Sequence, residues 1–148
     1  MSATRPAEMA TADPDLVTAL TQGQAAVDAA TARWLLMLAE FDRREAWRTD
    51  GVTSTVAWLR RECRMNAPAS KNLLAAARAL HDLPATREAF AEGAISLDHV
   101  RAIMPAVEYG EQARRADPIF ARAALWMTPR QVARVVATWA DIAKERAS

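Results

Sequence analysis

Seven prolines and four glycines are spread through 148 residues at places where helices start and stop, and this punctuation most limits what the chain can form. Pro14 follows Asp13, Pro68 stands two places after Asn66, Pro84 follows Leu83, and Pro129 follows Thr128. Proline is tolerated in a first helical turn, where its missing N–H has no intrahelical acceptor to lose. Gly51, Gly93 and Gly110 read as stops, since glycine alone enters the left-handed region without steric cost. Between these marks apolar residues recur with the 3.6-residue period of amphipathic helices. The spacing predicts helices over 14–47 with Gly23 as a point of interruption, over 53–64 and over 66–81. It predicts others over 84–92, from Ser96 to a break at Pro105, over 111–125 with a kink at Pro118, and from Thr128 onward. Predicted buried stripes are Trp34, Leu38 and Phe41, widened by Leu35, Leu36 and Met37; Val56, Leu59 and Cys63; Leu73, Ala77 and Leu80; Val100, Ile103, Met104 and Val107; and Val132, Val135, Val136, Trp139 and Ile142. The expected fold is all-α: one bundle of six to seven helices over 14–148, preceded by a flexible tail over 1–13.

Composition removes whole classes of protein. Hydrophobic residues at 51% and charged residues at 25% describe a globular chain. A single cysteine, Cys63, leaves no internal disulfide and no thiolate zinc site, and its place on an apolar face predicts a buried, inert thiol. No run approaches the roughly 18 apolar residues of a membrane span. Residues 1–14 lack the apolar segment of a signal peptide. The expected compartment is the cytoplasm, with no membrane partner. The net charge of +1 hides an uneven distribution. Residues 1–42 hold two basic and six acidic side chains, 43–78 hold eight and three, and 79–148 hold nine of each. The middle third is thus a basic island, which reads either as a docking face for an acidic partner or as a solvated arginine-rich surface.

Two helix pairs have helix-turn-helix proportions, 53–80 and 84–107. Such a motif lays its second helix in the major groove while the first crosses the backbone. In the first pair Arg60 and Arg64 are four residues apart, and Lys71 and Arg78 seven apart. On regular helices each couple shares a side, so the four form a candidate phosphate-binding face. The six carboxylates of the N-terminal third are the opposing expectation, because they can pair with these cations and silence the face. Short-turn helix pairs also occur in most helical bundles. Trp58 lies off the predicted inner face of its helix and either packs against the first helix, the favoured expectation, or stands exposed as a partner-facing anchor.

Five blocks in order carry a resemblance: 34–42 (WLLMLAEFD), 51–59 (GVTSTVAWL), 76–80 (AARAL), 83–86 (LPAT) and 93–99 (GAISLDH). Together they resemble the actinobacterial family called the domain of unknown function 222, or 13E12 repeat. The stretch 83–107 is also similar to the helix-turn-helix of partition-type DNA-binding proteins. The family resemblance implies a helical region that longer members carry ahead of an HNH-type nuclease. Here no nuclease motif follows. His81 and His99 stand beside Asp82 and Asp98 without a histidine pair at i, i+3 or i+4, so they read as surface or cap histidines and not as metal ligands. No catalytic residue, metal, cofactor or small-molecule ligand is expected. The leading expectation is a non-catalytic, DNA-associated module. The alternative is a protein-interaction or self-association module that positions a nuclease or another partner.

Overall fold

Each helix start foreseen from a capping residue is built as one. In the computed structural model, which describes residues 13–147, Asp13 caps the first helix, its Oδ1 accepting from the backbone N–H of Asp15 (2.9 Å) and Leu16 (3.4 Å). The tail expected over 1–13 otherwise lies outside the described residues. Helix α1 (Pro14–Arg43) runs through Gly23 without a break. It stops four residues short of the expected Trp47, because Glu45 turns left-handed and the chain tightens into a 3-10 segment, Ala46–Asp50. Helix α2 (Thr55–Glu62) begins where Ser54 Oγ accepts from the Ala57 N–H at 3.0 Å. Helix α3 (Ala67–His81) begins where Asn66 Oδ1 accepts from the Ala69 N–H at 2.8 Å. Helices α4 (Pro84–Ala91), α5 (Leu97–Ile103), α6 (Glu111–Ala124) and α7 (Pro129–Ala147) complete the order. The break foreseen at Pro105 is a change of gait: α5 passes into a 3-10 segment, Met104–Tyr109. The kink foreseen at Pro118 does not break α6, which continues through it. Thr128 and Gln131 cap α7 reciprocally, each side chain accepting from the other's N–H.

The architecture is an all-α bundle of seven α-helices, with no strand among the described residues. Helix α1 lies on α3 and α4, α2 on α3, α4 on α6, and α5 on α7. Leu35, Leu59, Leu80, Leu83, Phe90 and Phe120 fill the shared interior, each such burial favouring the fold by about 1.5–3 kcal/mol. Trp139 stands edge-on to both Phe120 and Tyr109, with ring centroids 5.2 and 5.4 Å away. Gly93 (φ +73) lies against α1 so closely that a Cβ there would sit 2.7 Å from the Ala25 carbonyl oxygen. Only glycine satisfies both the dihedral and the approach.

Three predicted stripes change at their margins. Leu36 and Met37 do not widen the buried stripe of α1; they are 40% and 64% exposed. Ile142 is likewise exposed, and Ala143 takes the interior place beside it. Leu74 joins α3's buried side, while Leu73 is only half-buried. Helix α1 also extends past the bundle, since every residue from Asp13 to Gln24 is exposed.

Candidate functional site

The four candidate cations stand in different local settings. Arg60 sits in the last turn of α2 and is exposed. Helix α2 ends at Glu62, and Arg64 takes a left-handed conformation (φ 57) in the turn, so the one-turn register between Arg60 and Arg64 is lost. Lys71 is exposed on α3. Arg78 is bound to Asp42 of α1: its Nε and Nη2 donate to the two carboxylate oxygens at 2.9 and 3.1 Å. Asp42 also accepts from Thr55 Oγ1 at 2.7 Å. The Arg78 hydrogen bond, opposed by partial burial and helped by Thr55, holds the Asp42 carboxyl below the usual carboxylate range. One cation of the basic island is therefore consumed by a carboxylate of the acidic N-terminal third. Arg60, Arg64 and Lys71 have no ion-pair partner among the described residues. Arg61 is held by Glu62 and by the Asp50 carbonyl.

Of the two histidines, His99 serves structure. His99 closes a capping box with Ser96: Ser96 Oγ accepts from the His99 N–H, and the Ser96 N–H donates to His99 Nδ1 at 3.1 Å. With Nδ1 accepting, Nε2 carries the proton and donates to the Met127 carbonyl at 2.7 Å. This ties the start of α5 to the turn before α7. His81 is exposed at the end of α3. No group of three or more His, Cys, Asp or Glu that could hold a metal occurs among the described residues. No described helix is long and apolar enough to cross a membrane.

Two arrangements escaped sequence reasoning. The first is Asp117, fully buried inside α6. Helix α4 has no cap of its own, because Leu83 offers no side-chain acceptor. Asp117 accepts instead from the Ala85 N–H (2.6 Å), the Thr86 N–H (3.0 Å) and Thr86 Oγ1 (2.6 Å). A carboxylate 31 residues away thus supplies the cap. No signal in the local sequence of α4 points to it.

The second is the outer face of α1. Its buried side carries Asp28, Ala32, Leu35 and Leu38. On another side Leu16, Leu20, Gly23 and Val27, then Ala30, Trp34, Met37 and Phe41, alternate spacings of four and three residues. That is the a/d pattern of a helix seam, drifting about 20° per heptad on a straight helix. Leu16, Leu20, Val27 and Met37 are each more than half exposed. At its C-terminal end the seam opens into an apolar cleft of about 160 Å³ between α1 and α2, lined by Trp34, Met37, Phe41, Trp58 and Cys63 among others. Trp58 packs on Phe41 at 4.5 Å, as expected of a residue turned toward the first helix, and its Nε1 donates to Asp50. Cys63 is half-buried at the edge of this cleft and not sealed in the interior.

These features define a helical bundle whose acidic and basic thirds are partly tied together and whose first helix leaves Leu16, Leu20, Val27 and Met37 of its apolar seam exposed. The sequence model of a domain of unknown function, DUF222, matches residues 17–146, and the chain belongs to that family. No curated protein and no solved structure matches it.

Proposed function

We propose that this chain is a non-catalytic docking module that binds a helical protein partner through the outer face of α1. The observation that carries this reading is the heptad-spaced apolar seam, exposed at Leu16, Leu20, Val27 and Met37 and running into a cleft rimmed by Trp34, Phe41 and Trp58. Interaction surfaces favour exposed aromatic and aliphatic anchors over lysine and arginine clusters, and here apolar residues recur along the whole seam while one of the four candidate cations, Arg78, is paired with Asp42. The nuclease linkage, the 13E12-repeat kinship and the actinobacterial setting implied by the sequence resemblance would set this docking beside a nuclease-bearing chain that the module helps to position. A photo-crosslinking residue placed at Leu20 tests the reading, against a control at Lys71. The expected result is a protein adduct from position 20 that Val27→Glu abolishes. Adducts to DNA from position 71, with none from position 20, would overturn it.

The unpartnered Arg60, Arg64 and Lys71 support a second reading, non-specific association with DNA. Three phosphate contacts would give a log–log salt slope of roughly −2.7, at about −0.9 per contact. Lys71→Ala should flatten that slope by about one contact, and Arg78→Ala should leave it unchanged, since Arg78 is already engaged by Asp42. Duplex titrations at low salt showing no binding would remove this reading.

A further inference from the structure

We propose that the seam of α1 docks against the same seam of a second copy of this chain, antiparallel, with Leu16 of each copy against Phe41 of the other. This rests on the docking reading above and names its occupant. The case begins with register. In an antiparallel pair each a position faces a d position of the partner helix. The register that overlaps the whole seam places Leu16 opposite Phe41, Leu20 opposite Met37, Gly23 opposite Trp34 and Val27 opposite Ala30. In that register the largest side chain of the seam meets its smallest residue, and the other pairs join residues of compatible volume. A parallel, in-register pair would instead set Trp34 against Trp34 and leave facing glycines with nothing between them. Interiors close at uniform density, so the parallel arrangement carries both a void and a collision.

Each copy also has a projection and a hole. Asp13 to Gln24 extends beyond the bundle with every residue exposed. The cleft lies at the opposite end of the same seam, bordered by Met37, Phe41, Trp58 and Cys63. The antiparallel register carries Leu16 and Leu20 of one copy over the cleft of the other, and the two-fold axis repeats the contact. Charge does not oppose it. The positions flanking the seam are Ala19, Ala26, Arg33 and Glu40 on one side, and this register sets Ala19 opposite Glu40 and Ala26 opposite Arg33. Glu40 is already neutralised by Arg43 and Arg44. Gly23 is compatible with this register: a Cβ there would meet nothing within 4 Å among the described residues, so the space beside it is open to a large side chain of a second copy.

The test uses the full chain. Analytical ultracentrifugation across a wide concentration range should show a reversible dimer. Leu20→Lys should weaken it about a hundredfold or more, because the two-fold axis buries two unpaired lysines. Gly23→Leu should also weaken it without lowering the helical signal of the dilute monomer, since leucine is the better helix former. Disulfide trapping in a Cys63→Ser background fixes the register. Leu20→Cys mixed with Met37→Cys should cross-link to each other, and Leu20→Cys alone should not, since two copies of position 20 lie about 25 Å apart along antiparallel helices at 1.5 Å per residue. Rapid self-linking of Leu20→Cys would overturn the antiparallel register. A chain that stays monomeric, with the photo-adduct from position 20 joined to a different protein, would overturn self-association and leave the docking reading intact. A monomeric chain with no adduct at all would overturn both.

Discussion

Replacing Asp117 with alanine removes the only side-chain cap of α4 without touching α4 itself. The carboxylate is fully buried and accepts from two backbone N–H groups and one hydroxyl. Truncation strands all three donors in an interior that water reaches only at the half-buried Ala85. A buried donor left without its acceptor costs about 1–3 kcal/mol. With Ala85 partly relieved by solvent, the sum is about 3–5 kcal/mol, a large share of the 5–15 kcal/mol typical of a domain. At roughly 2–4 °C per kcal/mol for a chain of this length, the melting temperature should fall by about 10 °C. Asp117→Asn keeps one acceptor oxygen and should lose roughly half as much. Urea unfolding followed by far-UV circular dichroism should show a lower midpoint with an unchanged slope. Thr86→Val, which removes one of the three donors, should be non-additive with Asp117→Ala, because the two changes share a bond. A loss under about 1 kcal/mol for Asp117→Ala, or strict additivity with Thr86→Val, would refute the cross-cap reasoning.

Arg78→Ala should cost about 1 kcal/mol near neutral pH, the largely exposed arginine being screened by solvent. Because Arg78 lowers the Asp42 pKa in the folded state, this contribution is complete above the unfolded aspartate value of about 3.9 and fades as pH falls through the lower folded value. Urea titrations of parent and variant should therefore converge on acidification, and a widening gap would contradict the sign. Gly93→Ala should lose about 2–4 kcal/mol, from its positive φ and the 2.7 Å approach to the Ala25 oxygen; a thermal melt equal to the parent's would show that α1 does not rest there. Leu38→Ala and Trp139→Ala should each lose about 2–5 kcal/mol by leaving cavities, which chemical denaturation of the two variants checks.

Most helix starts were legible because their signals are local. Asp13, Ser54, Asn66, Ser96 and Thr128 each cap with an atom two to four residues from its acceptor or donor. Helix ends were harder. Glu45 and Arg64 adopt left-handed conformations that nothing about glutamate or arginine announces. That ending of α2 also removes the one-turn register that a continuous helix would give Arg60 and Arg64. The expected pairing of basic island and acidic third was sound in kind, and Asp42–Arg78 realises it. Which cation would be taken depends on how α1 lies across α3, which no window of sequence reports. The seam of α1 was present in the sequence but fused with the buried stripe. Trp34, Leu38 and Phe41 all line the cleft, but only Leu38 is buried, and its two aromatic neighbours are half-buried where the stripe meets the outer seam. Asp117 was invisible for a different reason: its partners lie in another helix.

The overhang of α1 ties secondary structure to abundance. From Asp13 to Gln24 every residue is exposed, and a helical stretch shorter than about 12–15 residues is marginal in water on propensity alone. Amide protons in this segment should therefore exchange through local fraying, orders of magnitude ahead of those in α4 or α6, which open only with larger units. Anything that covers the segment slows that exchange by mass action. In dilute solution the first turns of α1 would report a coil–helix equilibrium, and in concentrated solution the protection of a core helix, so that a deuterium-uptake curve for these twelve residues reads occupancy directly.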